Sequence, residues 1–196
     1  MRIFVAGATG VIGVRVVPLL VHAGHAVAAM TRAPAKAELL RELGAEPVVC
    51  DVYDAPALRD AVAGFRTECV LHELTDLPDE VSRIADYTGA NSRIRREGTR
   101  NLLAAAEAAG ARRFLAQSVA WTLPGDSGAA VEELERSVLE ANGVVLRYGQ
   151  LYGPGTYHEQ APPPPPRIHV DDAARRTVDA LDAPSGVIEI VEDADG

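Results

Sequence analysis

Three glycines at the end of a short apolar run carry the first chemical signal of this chain: Gly7, Gly10 and Gly13, within Val5-Ala6-Gly7-Ala8-Thr9-Gly10-Val11-Ile12-Gly13. At this spacing the first glycine permits a tight turn and the second lets backbone approach a phosphate with no Cβ between them. The third lets the following helix pack close to the strand. A helix that begins there offers unsatisfied N–H groups and the positive end of its dipole to an anion. The pattern predicts a dinucleotide pyrophosphate held by Gly7, Thr9, Gly10, Val11, Ile12 and Gly13. The bland alternative is a glycine-rich turn without a ligand.

The end of the second apolar run discriminates between cofactors. An acidic side chain there would bond the ribose 2′-OH of NAD. This chain has Met30-Thr31-Arg32, followed by Lys36, and a guanidinium suits a 2′-phosphate. NADP(H) is therefore the expected cofactor and NAD(H) the alternative. The competing reading has Arg32 facing solvent or stacking on adenine. Asp51, after the third apolar run, is placed for the adenine side, unless it serves as a cap or turn residue.

Groups for proton transfer belong beyond the carboxyl ends of the later strands, where open α/β sheets bind ligands. His72 titrates near neutrality and is a candidate acid or base; the alternative is a strand-end histidine satisfied by backbone. Ser118 after the fifth strand is a further candidate, and Tyr152 a candidate proton donor unless it packs structurally in its Tyr-Gly-Pro loop. Glu73 and Asp76 read as an acidic pair near the expected nicotinamide, or as turn carboxylates. Tyr148, Tyr157 and His158 occupy the same end, while His169 and Asp171 read as a helix anchor with Asp171 as its cap. The chain lacks the order and elbow of a Ser/His/Asp hydrolase. It has no CxxC or His/Cys cluster, so no metal is expected.

The elements that must position these groups follow from periodicity. Apolar runs at 3–6, 26–30, 47–50, 68–72, 113–117, 144–147 and 187–191 read as strands. Helices are expected over 11–22, 35–43, 55–63, 92–109, 129–141 and 170–181, the first four closed by Gly24, Gly44, Gly64 and Gly110. This alternation predicts an α/β fold, a Rossmann-like doubly wound parallel sheet covered on both faces. One domain over 1–196 is expected, with a core at 1–150 and a reduced C-terminal part at 151–196. Leu123 to Gly128 reads as a connector, and the five consecutive prolines before Arg167 as an extended polyproline II linker.

Composition excludes some classes. The net charge of −9 opposes a nucleic-acid-binding surface, and the clusters Arg93-Arg95-Arg96 and Arg112-Arg113 read as solvated faces. Cys50 and Cys69 lie in apolar runs, as buried thiols of a reducing compartment do. No apolar stretch reaches membrane-spanning length. A cytoplasmic protein with neither membrane nor nucleic-acid partners is expected.

Together the motifs resemble the extended or atypical short-chain dehydrogenase/reductase superfamily, in its NAD-dependent epimerase/dehydratase-like branch. Gly7 to Gly13 is similar to its loop, Cys50-Asp51-Val52 to its adenine-contacting strand end, and Glu97-Gly98-Thr99-Arg100-Asn101-Leu102-Leu103 to its central helix. Leu146 to Gly149, Leu151 to Gly155, and Ile168 to Ala174 resemble its sixth-strand loop and late helix start. The family's hydride chemistry uses a tyrosine with a lysine four residues later, which lowers the tyrosine pKa. Here the matching helix would start near Ser127 and Val131, neither of them Tyr or Lys, and Lys36 is the only lysine. The family's substrate-binding subdomain is reduced to a proline-rich bridge. The resemblance implies an atypical NAD(P)-dependent oxidoreductase or epimerase on a small organic substrate. The alternatives are a non-redox cyclase, isomerase or lyase on the same scaffold, and a non-catalytic NADP-binding regulator. It also implies a homodimer through the helices at 92–109 and 129–141.

Overall fold

The computed structural model describes residues 1–192. Alternating apolar residues along β1 (Arg2–Ala6) bury both of its faces: Ile3 and Val5 enter one core, Phe4 and Ala6 the other. Both faces of a strand can be buried only if helices cover both sides of its sheet. That is the architecture observed, and it sets the topology of the rest.

The order of elements after β1 is α1 (Gly13–His22), β2 (Ala26–Thr31), α2 (Ala37–Glu42), β3 (Glu46–Val49), α3 (Ala55–Gly64) and β4 (Cys69–His72). Next come α4 (Thr88–Arg93) and α5 (Thr99–Ala109), which are joined without a break by a wide π turn, Ile94–Gly98. The chain continues through β5 (Arg113–Val119), α6 (Gly125–Glu140), β6 (Val144–Tyr148), β7 (Gln150–Tyr152), β8 (Arg167–His169), α7 (Val170–Asp179) and β9 (Gly186–Ile190). Seven strands form one parallel sheet in the order β3-β2-β1-β4-β5-β6-β9. Helices α1, α2 and α7 bury Val17, Leu20, Leu40 and Ala174 in one core, while α3, α5 and α6 bury Leu58, Leu102 and Leu134 in the other. The chain order reverses between β1 and β4, and a crevice opens beyond their carboxyl ends.

Several local expectations are corrected. The helix at 129–141 begins a turn earlier, at Gly125, so the supposed connector supplies its first turn. Gly64 is the last residue of α3, as expected, but the left-handed conformation falls two residues later, on Arg66 at φ 53°. The proline run is not a free rod. It bends, and the carbonyls of Pro163, Pro164 and Pro166 accept hydrogen bonds from Arg167 Nη1, Gln150 Nε2 and Gln150 N. It thus folds back on the small β7–β8 parallel ladder. His169, not Asp171, caps α7: its Nδ1 accepts from Asp171 N, and Asp171 pairs with Arg15 at 2.8 Å.

A non-glycine residue in the left-handed region carries a steric penalty of about 1 kcal/mol. Replacing Arg66 by Gly should therefore raise stability, by up to about 1 kcal/mol, as an increased midpoint of urea unfolding with an unchanged m value.

Candidate cofactor and substrate site

The glycine loop leaves β1 at the reversal point, and backbone fills two of its three glycine positions. A Cβ on Gly7 (φ 92°) would lie 2.5 Å from the Glu73 carbonyl oxygen, and one on Gly13 would lie 2.3 Å from the carbonyl oxygen of Gly7. At Gly10 the nearest neighbour is that same carbonyl, at 3.3 Å, with nothing else in contact. Gly10 N–H closes the turn onto Gly7 O at 3.0 Å. Gly7 thus packs the loop against the exit of β4, Gly13 packs the start of α1 against the loop, and Gly10 leaves it open. This shape fits a bound pyrophosphate at the start of α1.

Beyond the ends of β2 and β3, the residues expected at the adenosine are held by neighbouring groups. Arg32, just past β2, places Nη2 3.3 Å from Asp76 Oδ1 and remains 67% exposed along its side chain. Arg32, Asp76, Pro78, Arg83 and Tyr87 line a cleft of about 320 Å³. Lys36 is exposed in the short 3₁₀ turn Pro34–Lys36. Asp51 accepts from Tyr53 N in a turn, and the cap of α3 is Asp54. Val52 is buried, and its carbonyl accepts from Asn101 Nδ2 at 2.9 Å, so the central helix holds the exit of β3.

Of the proton-bearing candidates, His72, Ser118, Tyr148, Tyr152 and Tyr157 are engaged within the fold. His72 is fully buried; Nδ1 accepts from Leu74 N, so Nε2 carries the proton and donates to Thr99 Oγ1 at 2.9 Å. Burial pushes its pKa down to about 4. Ser118 Oγ donates to Glu135 Oε1 at 2.6 Å, and Arg147 grips the same carboxylate through two bonds, at 2.9 and 2.6 Å. Burial acts to raise Glu135, but the hydrogen bonds from Arg147 and Ser118 outweigh it and leave the carboxyl below its usual range. Tyr152 donates to Glu192, a bond that, with some burial, raises its pKa. Tyr157 donates to the Pro78 carbonyl, tying the loop after β7 to the exit of β4.

Glu73 and Asp76 diverge instead of forming a pair. Glu73 turns inward, and its Oε1 lies 3.0 Å from Tyr148 Oη. Tyr148 Oη lies 2.6 Å from Thr177 Oγ1, which is 2.7 Å from the Ala173 carbonyl. These three contacts need three protons, and the two hydroxyls supply two. The third belongs to Glu73, so its carboxyl is neutral. Burial acts in the same direction and lifts its pKa to about 8. Glu135, Arg147, Thr99 and Thr177 were not found from sequence. Their partners lie up to 29 residues away in the chain, and no local pattern marks them.

A doubly wound parallel sheet with a glycine cradle at its reversal point defines a dinucleotide-binding protein. The chain belongs to the NAD(P)H-binding family, whose model matches residues 7–149. It is similar to a 3-diazoavenalumate denitrifying reductase from a Streptomyces species, 35% identical over 98% of this chain and 76% of the relative. It also matches a 3-beta-hydroxysteroid dehydrogenase of Mycolicibacterium neoaurum, 30% identical over 58% of this chain and 31% of that protein. In fold it resembles the UDP-glucose 4-epimerase of Thermus thermophilus, a complex with NAD, with a TM-score of 0.80 and 19% identity over 97% of this chain and 78% of that one. Among the described residues no helix is long and apolar enough to cross a membrane.

The neutral Glu73 has a measurable consequence. Unfolded, its carboxyl ionises near 4.5; folded, only near 8. The native state therefore holds the extra proton between these values, and the stability this confers is lost as pH rises through that window. Glu73→Gln keeps a neutral partner for Tyr148. The variant should gain on the wild type from pH 5 to pH 9 in denaturant titrations. A difference that does not change with pH would show that Glu73 is ionised throughout.

Proposed function

We propose that this protein is an NADP(H)-dependent reductase whose acceptor takes a hydride and needs no proton from the protein. One observation carries the reading. His72, Ser118, Tyr148 and Tyr152 all have their protons committed inside the fold, and the helix after β5 begins Gly125-Asp126-Ser127-Gly128 with no Tyr/Lys pair. A carbonyl becomes an alkoxide on accepting a hydride and calls for a general acid. A cationic acceptor is neutralised by the hydride itself.

The Streptomyces relative, named for the denitrifying reduction of 3-diazoavenalumate, supplies the type of acceptor. When bound, NADPH supplies a hydride; on the terminal nitrogen of an arenediazonium ion it yields a neutral aryldiazene, which loses dinitrogen and leaves that hydrogen on the ring. The chain's own residues bind and orient. The backbone from Gly7 to Gly13, with Thr9, Val11 and Ile12, holds the pyrophosphate, and Asp51 and Val52 border the adenine. Arg32 exchanges Asp76 for the 2′-phosphate, with Lys36 beside it. His72, Ser118 and Tyr152 act as positioning residues: they fix the exit of β4, the β5–α6–β6 junction and the β7–β8 ladder. The alignment with the relative runs over 236 positions against 196 residues here, so that protein carries inserted segments. A single domain at 1–196 with a reduced C-terminal part belongs to the same reading. A second copy of this chain against α4, α5 and α6 and a cytoplasmic setting complete the reading; light scattering tests the former.

Fluorescence titration should show NADPH binding at least about tenfold tighter than NADH, the scale of one lost charge-assisted phosphate contact, and Arg32→Glu should remove the preference. NADPH oxidation, followed against an enzyme-free control, should respond to a benzenediazonium salt and not to benzaldehyde. Turnover of the aldehyde alone would overturn the choice of acceptor. Tight binding without any turnover would return the protein to the regulatory class.

A further inference from the structure

The three arginines of the central helix do not share one solvated face. Arg93 pairs with Glu97 at 2.7 Å and stacks over Tyr53; Arg96 pairs with Asp126 at 2.8 Å and Glu133 at 3.0 Å. Arg95 between them is 9% exposed. Among the described residues its guanidinium has no hydrogen-bond or ion-pair partner, and burial alone acts on it, lowering its pKa. None of its nitrogens is among the polar atoms sealed from solvent without a partner, so the buried side chain keeps its charged tip in contact with solvent. The expectation of a solvated cluster fails at this residue.

Its position gives that tip a direction. Arg95 lies in the wide π turn Ile94–Gly98, a helical irregularity that recurs at functional sites. Four residues before it, Asn91 Oδ1 accepts from Asp76 N at 3.1 Å; four residues after it, Thr99 bonds His72 Nε2. Both flanking residues lie on the same helix face, one turn either side of Arg95, and both hold the exit of β4. Arg95 is therefore level with the middle of that exit, where Leu74 O accepts from Gln117 Nε2 of β5 at 2.7 Å. This is the inner wall of the crevice at the reversal point, next to the residue whose backbone packs on Gly7.

We propose that Arg95 binds a carboxylate group of the substrate, a specificity contact that rests on the reductase reading above. A guanidinium on a buried stem is only partly hydrated and has no counter-charge, and a bound anion offsets that cost. The glycine loop provides for the pyrophosphate and Arg32 for the 2′-phosphate, so the anion left for Arg95 is the substrate's. A planar guanidinium presents two parallel N–H groups that match the two oxygens of a carboxylate. The acceptor is thereby an aromatic acid, held by its carboxylate on the β4 side with its electrophilic end free to lie over the cofactor.

The test uses the full chain with NADPH present and two probes, cinnamate and its neutral amide, measured by calorimetry. The wild type should bind cinnamate at least about tenfold tighter than cinnamamide, as one charge-assisted pair provides. Arg95→Met should abolish the difference and Arg95→Lys should retain part of it, with NADPH affinity unchanged in both. The Met variant also removes an unpaired buried charge, so its melting midpoint should equal or exceed that of the wild type. Equal affinity of the wild type for acid and amide overturns the proposal. So does a preference for the acid that survives in Arg95→Met, or a loss of NADPH affinity, which would place Arg95 on the cofactor. A preference for the acid that depends on Arg95, with no acceptor able to oxidise NADPH, would leave the anion site standing and defeat the reductase reading.

Discussion

The peptide of Gly7 lies against the peptide between Glu73 and Leu74, close enough that a single Cβ would collide with it. This contact joins the ends of β1 and β4, the two strands between which the sheet reverses. It fixes the height of the glycine loop over the sheet and the path by which β4 leaves it. Most of the polar order at the carboxyl edge then serves that exit. Thr99 holds His72, Gln117 holds Leu74 O and Asn91 holds Asp76 N. Further contacts join Tyr148 to Glu73 and Arg32 to Asp76. The exit of β4 is thus pinned from several elements at once, and the crevice has a rigid wall where cofactor and substrate would meet.

The electrostatics of that wall are ordered by protonation. A buried carboxylate beneath an anion-binding loop would repel a pyrophosphate. The chain Glu73–Tyr148–Thr177–Ala173 avoids this, because its three contacts are all satisfied only when Glu73 keeps its proton. His72 is neutral for the complementary reason, since burial disfavours the imidazolium. Ionised groups stay at the rim, in Arg32 and Asp76, or are paired, as in Glu135 with Arg147. Arg95 is the exception, a cation inside the wall with no anion beside it among the described residues, and so the point at which the site is chemically incomplete.

Much of the fold is legible in the sequence because local rules and global fold agree. The strands read as apolar runs, Gly24, Gly44 and Gly110 adopt the positive φ expected of helix ends, and Gly7 takes the conformation that its turn requires. The failures share one physical origin, which is that a long-range partner overrode a local preference. Leu123 to Gly128 has the composition of a connector, yet a turn of α6 forms within it and Arg96 reaches across to Asp126. The proline run has the composition of a free rod, yet its carbonyls are acceptors for Gln150 and Arg167. Asp171 has the makings of a cap, but Arg15 takes its carboxylate and His169 caps the helix.

The site divides along the same line. The sequence by itself determined the glycine cradle and the position of Arg32 after β2, because both depend on residues within one strand–loop–helix unit, where spacing fixes geometry. It also determined that no Tyr/Lys pair follows β5, a matter of residue identity alone. Only the tertiary structure decided which of the remaining polar groups are spent and which are free. His72, Ser118, Tyr148 and Tyr152 find their partners on other elements, and Arg95, which composition makes a surface charge, is drawn inward by the helix face that carries Asn91 and Thr99. Whether a side chain has a partner is a property of the assembled layers, and that property separates a reactive or binding group from a structural one.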